Sequence, residues 1–408
     1  MQYRNVLPSQ RPETPAAAGR AATQRQRRRR PNLVALALAL LFWAALGSYA
    51  VRWRARSHIA GGAACKARLE RLGVDLGAAA SGVDDARAGA APTARRHRAY
   101  ASMAATLASG GLRLGGEITQ GLTQGDLFEV LPPDHPDRGR PQTRPGSAEP
   151  LVAPRLRPLA VPVRAVVLPL LDRRASNEVH EAAAARLAEI LGAGSVWWQD
   201  PGLFHATLYH ASTHGVRCGA IAPVPADAAA VEAEAAAVAR VAQSTCPVRA
   251  VLERVAATAG GVLVACWQVL PGSGEPEDIR ASLRHALPHA PPPAQQAVRE
   301  PAMLHTTVAR LLSPARRPAA ARRRGRGGEE VGAEALAGEL ARAAEALTSE
   351  LCGLEAFFDE MWFVEERDLL ALALGGSYVK RASLMRCRGA QQQGQPGGPE
   401  PGARLRRR

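Results

Sequence analysis

Short apolar runs alternate with helical patterns from residue 161 onward, and this order limits the possible folds more than any other feature of the chain. Strand-like runs lie at 161–171, 203–211, 248–256, 261–269, 303–312, 355–364 and 369–374. Helical patterns lie between them at 177–191, 225–243, 277–287 and 331–351. The second half of this order echoes the first. We therefore predict an α+β, bilobal fold built from two similar lobes, each with an antiparallel sheet.

One His-x-Thr unit falls in each predicted lobe. His205-Ala-Thr207 lies in one predicted strand, and His305-Thr-Thr307 lies in another, one hundred positions later. Because side chains alternate along a strand, the His and the Thr of each unit point to the same face. A single chance match would be unremarkable, but two in equivalent places are not. We predict that the two strands face each other across a central cleft, although buried structural histidines are the alternative.

Two imidazoles and two hydroxyls around one phosphorus make a workable phosphodiester site without a metal or any other cofactor. One neutral His can take a proton from water while the other, protonated, gives one to the leaving oxygen. The Thr hydroxyls can donate to the non-bridging oxygens, where negative charge gathers in the transition state. We predict His205 and His305 as catalytic residues and Thr207 and Thr307 as phosphate-binding residues.

Two further residues are weaker candidates. Tyr209 shares the predicted face of the first unit, whereas strict alternation puts Arg310 on the face away from His305. His210 and His214 lack a helical face and a nearby acidic or Cys partner, so we predict no metal site. The tryptophans near the first unit could stack on a base but are more typical of packing between lobes.

The two His-x-Thr-apolar units resemble the signature of the two-histidine (2H) phosphoesterases. This superfamily includes RNA 2′,3′-cyclic phosphodiesterases, which are also called 2′–5′ RNA ligase-like proteins. The run His305-Thr-Thr-Val-Ala-Arg310 is similar to the second motif of that family, which often ends in Ala-Arg. The first motif departs from the family because it continues Leu208-Tyr209-His210 instead of entering a short Gly-containing turn. The resemblance covers about 161–375.

The resemblance implies a metal-independent phosphodiesterase that opens a 2′,3′-cyclic phosphate, on a nucleotide or an RNA end, to a 2′-phosphate. It implies His205 and His305 as the catalytic pair, and Thr207 and Thr307 as the phosphate-binding hydroxyls. Two alternatives stay open: a nucleotide-binding module that has lost turnover, and a membrane-tethered interaction protein. The sequence does not say which histidine is the base.

The formal net charge of +15 invites a nucleic-acid interpretation, but the charge is unevenly placed. Residues 1–69 hold thirteen Lys or Arg and a single acid, Glu13, while the other 339 residues hold 39 basic and 36 acidic side chains. Ten of those 39 lie in Arg-rich runs within 316–326 and 404–408. The remainder is mildly acidic, and a duplex binder needs a broad basic face. We therefore predict a small nucleotide or an RNA end as the partner, and no duplex.

Residues 33–51 carry no charge, and a helix of that length just spans a membrane. More arginines precede this segment than follow it, which favours a single-pass protein with a cytosolic N-terminus. A cleaved transit or signal peptide is the alternative, and the organelle stays open. The six cysteines are scattered without a Cys-x-x-Cys pair, so disulfides stay open as well.

The predicted domain organisation follows from these patterns. It comprises a disordered basic N-terminus (1–31), a transmembrane helix (32–52), a low-complexity linker with short helices (53–160), the 2H phosphoesterase-like domain (161–390) with an Arg-rich insertion (314–330), and a disordered basic tail (391–408).

Overall fold

Two antiparallel sheets form the framework of the computed structural model. It describes residues 62–76, 91–114, 117–119, 122–131, 151–191, 195–213, 225–312 and 333–387. The strands are β1 Glu117–Thr119, β2 Leu122–Thr123, β3 Phe128–Leu131, β4 Leu151–Pro154, β5 Pro158–Pro169, β6 Val196–Trp198, β7 His205–His210, β8 Val248–Ala257, β9 Val262–Val269, β10 His305–Leu311, β11 Glu355–Phe358, β12 Glu360–Asp368 and β13 Tyr378–Leu384.

The helices lie before, between and after these strands. They are α1 over 62–71, α2 Pro92–Gly110, α3 Gln124–Leu127, α4 Arg173–Ala188, α5 Ala228–Gln243, α6 Pro276–Ala286, α7 Ala333–Leu351 and α8 Ala371–Leu374. Single 3₁₀ turns lie at Pro201–Leu203 and Pro293–Gln295. The α+β prediction with antiparallel sheets is confirmed.

The chain crosses between the two larger sheets several times. One sheet, which we call the His305 sheet, has the strand order β11-β8-β9-β10-β6. The other, the His205 sheet, has the order β13-β12-β5-β7. Thus β6 joins the His305 sheet although it precedes β7 in the chain, and the late strands β12 and β13 join the His205 sheet. Periodicity identifies strands but not their partners, so this interleaving was not predictable from the pattern. In sheet order β7 is an edge strand, whereas β10 is internal.

The prediction of a closing strand at 369–374 is wrong. The chain turns at Leu369 and Leu370, where Leu370 adopts a left-handed conformation with φ 50°, and then forms the short helix α8. The late strand that pairs with β12 is β13, while β5 pairs with its other edge. A short, wholly apolar run fits a buried helix as well as a strand, which is why the pattern misled.

The main core lies between the sheets and the helices packed on them. It includes residues of β5, β8 and β9, the inward-facing positions of β7 and β10, and the residues just before β7 and β10, such as Phe204 and Leu304. Helices α4 and α5 begin at aspartates whose carboxylates accept a backbone N–H of the first turn. The buried faces of these helices complete the core.

Part of the segment predicted to be a linker belongs to the folded unit. Helix α2 lies against β8 and β9, and its Arg96 and Tyr100 are fully buried. The Arg96 guanidinium donates to Gln268 Oε1 at 2.8 Å and to Glu275 Oε2 at 2.6 Å. The sequence allowed short helices in this segment, but composition did not indicate that α2 packs on the sheet, because its stability comes from tertiary contacts.

The predicted segments 1–31, 32–52, 314–330 and 391–408 lie outside the described residues, and so does the apolar run 33–51. Within the described part of the chain, no helix is both long and apolar enough to cross a membrane.

Two disulfides connect distant parts of the described chain. Cys65, on α1, is bonded to Cys352, and Cys246 is bonded to Cys387 near the end of β13. Their sequence separations are 287 and 141 residues, so each closes a long loop. Cys266, buried on β9, is the free cysteine among the described residues.

We expect reduction of the two disulfides to lower the free energy of unfolding by about 2–5 kcal/mol per bond, because each cross-link restricts the unfolded chain. Denaturant titrations with and without reductant measure this change, and a non-reducing peptide map verifies the pairing. An unchanged midpoint in fully reduced protein would contradict the prediction.

Candidate active site

A cavity of about 480 Å³ lies between the His205 sheet and the His305 sheet. His205, Thr207, His305 and Thr307 all line it, as does Arg310. The four principal residues predicted from the sequence are therefore brought together by two strands from different sheets. All four are partly buried in the cavity wall.

A β-bulge in β7 changes which side chains reach the cavity. Val166 of β5 lies opposite Tyr209, and Val167 lies opposite Thr207, so one extra residue is inserted between them. Alternation is broken there: Tyr209 joins the core, while His210 lines the cavity. The prediction of Tyr209 as a site residue is therefore wrong, since it assumed an unbroken strand.

Strand β10 carries the matching bulge. Val264 of β9 lies opposite Thr307, and Leu263 lies opposite Ala309, which leaves Val308 as the extra residue. Val308 and Ala309 both enter the core, and Arg310 is turned to the cavity. Strict alternation along β10 predicted that Arg310 faces away from His305, and this prediction is wrong as well.

Local hydrogen bonds fix the orientation of the His205 ring. Its Nδ1 lies 2.8 Å from the carbonyl oxygen of Leu203, which must accept the Nδ1 proton. The Nε2 atom is therefore the nitrogen available to a ligand. Gln199, which also lines the cavity, donates its amide to the same carbonyl at 2.9 Å.

The surroundings of both imidazoles favour the neutral form. Burial lowers the pKa of His205 and the charge of Arg310 lowers it further, while the bond to Leu203 acts in the opposite direction. Burial is also the main cause that lowers the pKa of His305 to about 4, with further contributions from Arg280 and His205. Within the part of the chain that the structure describes, the His205 ring has a hydrogen bond that stabilises its imidazolium, and the His305 ring has none.

The Thr207 and Thr307 hydroxyls are available to a ligand. Both side chains line the cavity, and neither hydroxyl makes a hydrogen bond to any residue that the structure describes. Burial lowers the pKa of Arg310 to about 10, which still leaves its guanidinium charged at neutral pH. The cavity thus offers two hydroxyl donors and one cation to an anion.

Arg280 of α6 connects β7 with the segment that precedes β10. Its guanidinium donates to the carbonyls of Thr207 at 3.0 Å and Leu208 at 2.9 Å, both on β7. It also donates to the carbonyls of Pro301 at 2.6 Å and Met303 at 2.8 Å, just before β10. Sequence reasoning missed this residue, because the only signal for it is a basic side chain on an amphipathic helix.

Helix α2 supports the other side of β10 and forms part of the cavity wall. The Tyr100 hydroxyl accepts the Leu304 N–H at 2.9 Å and lies 2.7 Å from the Leu304 carbonyl oxygen. This contact fixes the backbone immediately before His305. Met103 and Thr106 of the same helix line the cavity.

The cavity lining has no Trp, Tyr or Phe among the described residues. Trp267 and Trp362 are buried, as is Trp197, so these rings serve packing. Among the described residues there is also no group of His, Cys, Asp and Glu that could hold a metal ion. Glu366, which sequence reasoning missed, is the carboxylate in the described lining.

Comparisons with known proteins leave the family open. No family model matches the chain, and no curated protein matches it. Among solved structures, the crystal structure of TT0787 of Thermus thermophilus is similar, with 15% sequence identity and a TM-score of 0.35. The match covers 55% of this chain and 99% of that one. Likeness at this level assigns neither family nor activity, so the function must come from the geometry of the cavity.

We expect Arg280→Met to lower the free energy of unfolding by about 3 kcal/mol or more, because four buried carbonyls lose their donor. Arg284→Met is the matched control, since Arg284 is exposed on the same helix. Urea titrations of both variants measure the difference. Equal stabilities would show that Arg280 does not connect the strands.

Proposed function

We propose that this protein is a metal-independent phosphodiesterase of the 2H type that opens the 2′,3′-cyclic phosphate of a nucleotide or an RNA end. The observation that carries the proposal is the convergence of two imidazoles and two hydroxyls on one cavity, the hydroxyls having no hydrogen-bond partner among the described residues. These are the groups that a metal-free phosphodiester reaction requires: a base, an acid and donors to the phosphoryl oxygens.

We assign His305 as the base and His205 as the acid. The bond to Leu203 stabilises a proton on His205, whereas Arg280 and His205 both disfavour one on His305. A bound phosphodiester anion favours the imidazolium form, and His205 is the better placed of the two rings to hold the proton. His305 then stays neutral and can accept a proton from water.

The reaction consumes one water molecule and leaves the protein unchanged. Water attacks phosphorus as His305 takes its proton, and the bond between phosphorus and the ribose 3′ oxygen breaks. His205 gives its proton to that oxygen, so the product is a 2′-phosphate. Thr207 and Thr307 donate to the non-bridging oxygens, and the Arg310 guanidinium offsets the developing charge. Proton transfer between the two rings through solvent restores the starting state.

Membrane anchorage through 33–51 is part of this proposal. Disulfides persist in oxidising compartments, and the folded unit contains two of them. A cytosolic N-terminus followed by one membrane span would put this unit in such a compartment. The charge pattern of the N-terminus and the disulfides thus support the same orientation.

We expect His205→Ala and His305→Ala each to lower kcat/KM for a 2′,3′-cyclic nucleotide by a factor of about 10² to 10⁴, because each removes a proton-transfer group. Turnover is measured in EDTA with the full-length protein. His289→Ala is the control, since His289 is exposed and does not line the cavity. A parent protein that binds the nucleotide without turning it over would instead identify a binding module.

The pH dependence of kcat/KM tests the assignment of acid and base. With His305 as the base, activity should rise as the pH increases through about 4, the pKa of His305. Activity should fall again as the pH increases further and His205 loses its proton. That loss should occur below pH 6.5, the ordinary pKa of a histidine, because the pKa of His205 is lowered. The expected profile is a bell with its maximum on the acidic side of neutrality, measured at constant ionic strength. A maximum above about pH 8 would rule out the assignment.

A further inference from the structure

Glu366 lies in the same cavity as the histidines but far from the phosphate-binding groups. It is on β12, which is separated from β7 by β5 alone. Neighbouring strands lie about 4.8 Å apart, so β12 is roughly 10 Å from the strand of His205 and Thr207. Glu366 pairs with Val163, whereas Thr207 pairs with Val167, which shifts Glu366 further along the sheet. The carboxyl thus lies toward the opposite end of the cavity.

The lining near Glu366 is mostly apolar. It includes Ala165, Val364, Leu370, Leu372 and Ala373, while His210 on β7 lies opposite Ala165. Only 7% of Glu366 is exposed. No charged residue contributes to its pKa, which burial raises to about 7 against the opposing hydrogen bond from Leu372. A carboxyl is expensive to bury in this way unless something bonds to it.

One oxygen of the carboxyl has a partner and the other does not. The Leu372 N–H donates to Oε1 at 2.8 Å, which fixes the side chain against α8. Oε2 makes no hydrogen bond to any described residue. An oxygen without a partner, on a nearly buried side chain that lines a cavity, points to a hydrogen-bond donor in the ligand.

We infer that Glu366 binds the exocyclic amino group of a nucleobase, so that the cavity selects nucleotides with an amino-bearing base over uracil. This inference rests on the proposed function and specifies its substrate. The ligand must present an anion to the His and Thr end and an N–H donor to the other end. A nucleotide has both groups, separated by its ribose. Carboxylates accept hydrogen bonds from the amino group of cytosine, and the described lining offers no Trp, Tyr or Phe ring that would hold any base equally by stacking.

Cytidine and uridine nucleotides make the sharpest comparison, because their bases are similar in size and differ mainly at one edge. Cytosine presents an amino group where uracil presents a carbonyl oxygen. The carboxylate of Glu366 attracts the cytosine amino group and repels the uracil carbonyl oxygen. At pH 8, where the carboxylate predominates, we expect the full-length protein to bind cytidine 2′-monophosphate at least about tenfold more tightly than uridine 2′-monophosphate.

Glu366→Gln should reverse this preference. The amide oxygen can still accept the Leu372 N–H, and the amide nitrogen then faces the ligand as a donor. A donor there suits the uracil carbonyl and opposes the cytosine amino group. The control is Glu365→Gln, since Glu365 is the adjacent residue on β12 and does not line the cavity. It should keep the preference of the parent protein.

Calorimetric titration of the three proteins with both nucleotides tests the inference, and thermal unfolding verifies that each variant is folded. A cytidine preference in the parent that is lost or reversed in Glu366→Gln, but kept in Glu365→Gln, supports the inference. Equal affinities in the parent overturn it, and this comparison needs no variant. Failure to bind either nucleotide overturns it as well.

Turnover of the two 2′,3′-cyclic nucleotides is measured separately, so that the two proposals can fail independently. Turnover with equal affinities would overturn the base selectivity alone. A cytidine preference that depends on Glu366, without turnover of either nucleotide, would overturn the phosphodiesterase and keep the base site.

Discussion

The Arg280 guanidinium is the contact on which the rest of the site depends. It comes from a helix and bonds to backbone carbonyls on both sides of the cavity, two on β7 and two just before β10. A buried cation needs such partners, and four carbonyl dipoles provide them without a carboxylate. The same charge lies near His305 and lowers its pKa. One side chain therefore both connects β7 with the segment before β10 and makes the imidazoles of His205 and His305 chemically different.

The two strands that Arg280 connects are related by more than their His-x-Thr units. Each has a bulge after its Thr, and in each the fifth residue after the His is turned back to the cavity. That residue is His210 on β7 and Arg310 on β10. The bulge lets a strand present three polar side chains to a ligand while placing two consecutive residues in the core. The difference between His210 and Arg310 makes one wall of the cavity more cationic than the other.

The folded unit begins well before the first predicted strand. Helix α2 buries Arg96 and Tyr100 against the His305 sheet, and the Tyr100 hydroxyl holds the backbone next to His305. A disulfide attaches α1 to the residue that follows α7. These segments are rich in Ala, Gly and Arg, which is typical of a flexible linker. Their order comes from contacts with residues far away in the chain, and composition does not report such contacts.

The sequence by itself determined most strands and helices from residue 161 onward and the four residues His205, Thr207, His305 and Thr307. Local periodicity is sufficient for these, because a regular strand fixes which side chains share a face. Only the tertiary structure decided the rest. It showed which sheet each strand joins, that Tyr209 is in the core and Arg310 in the cavity, and that Arg280, Tyr100 and Glu366 contribute to the site. Bulges and long-range hydrogen bonds depend on partners distant in the chain, so no local pattern encodes them.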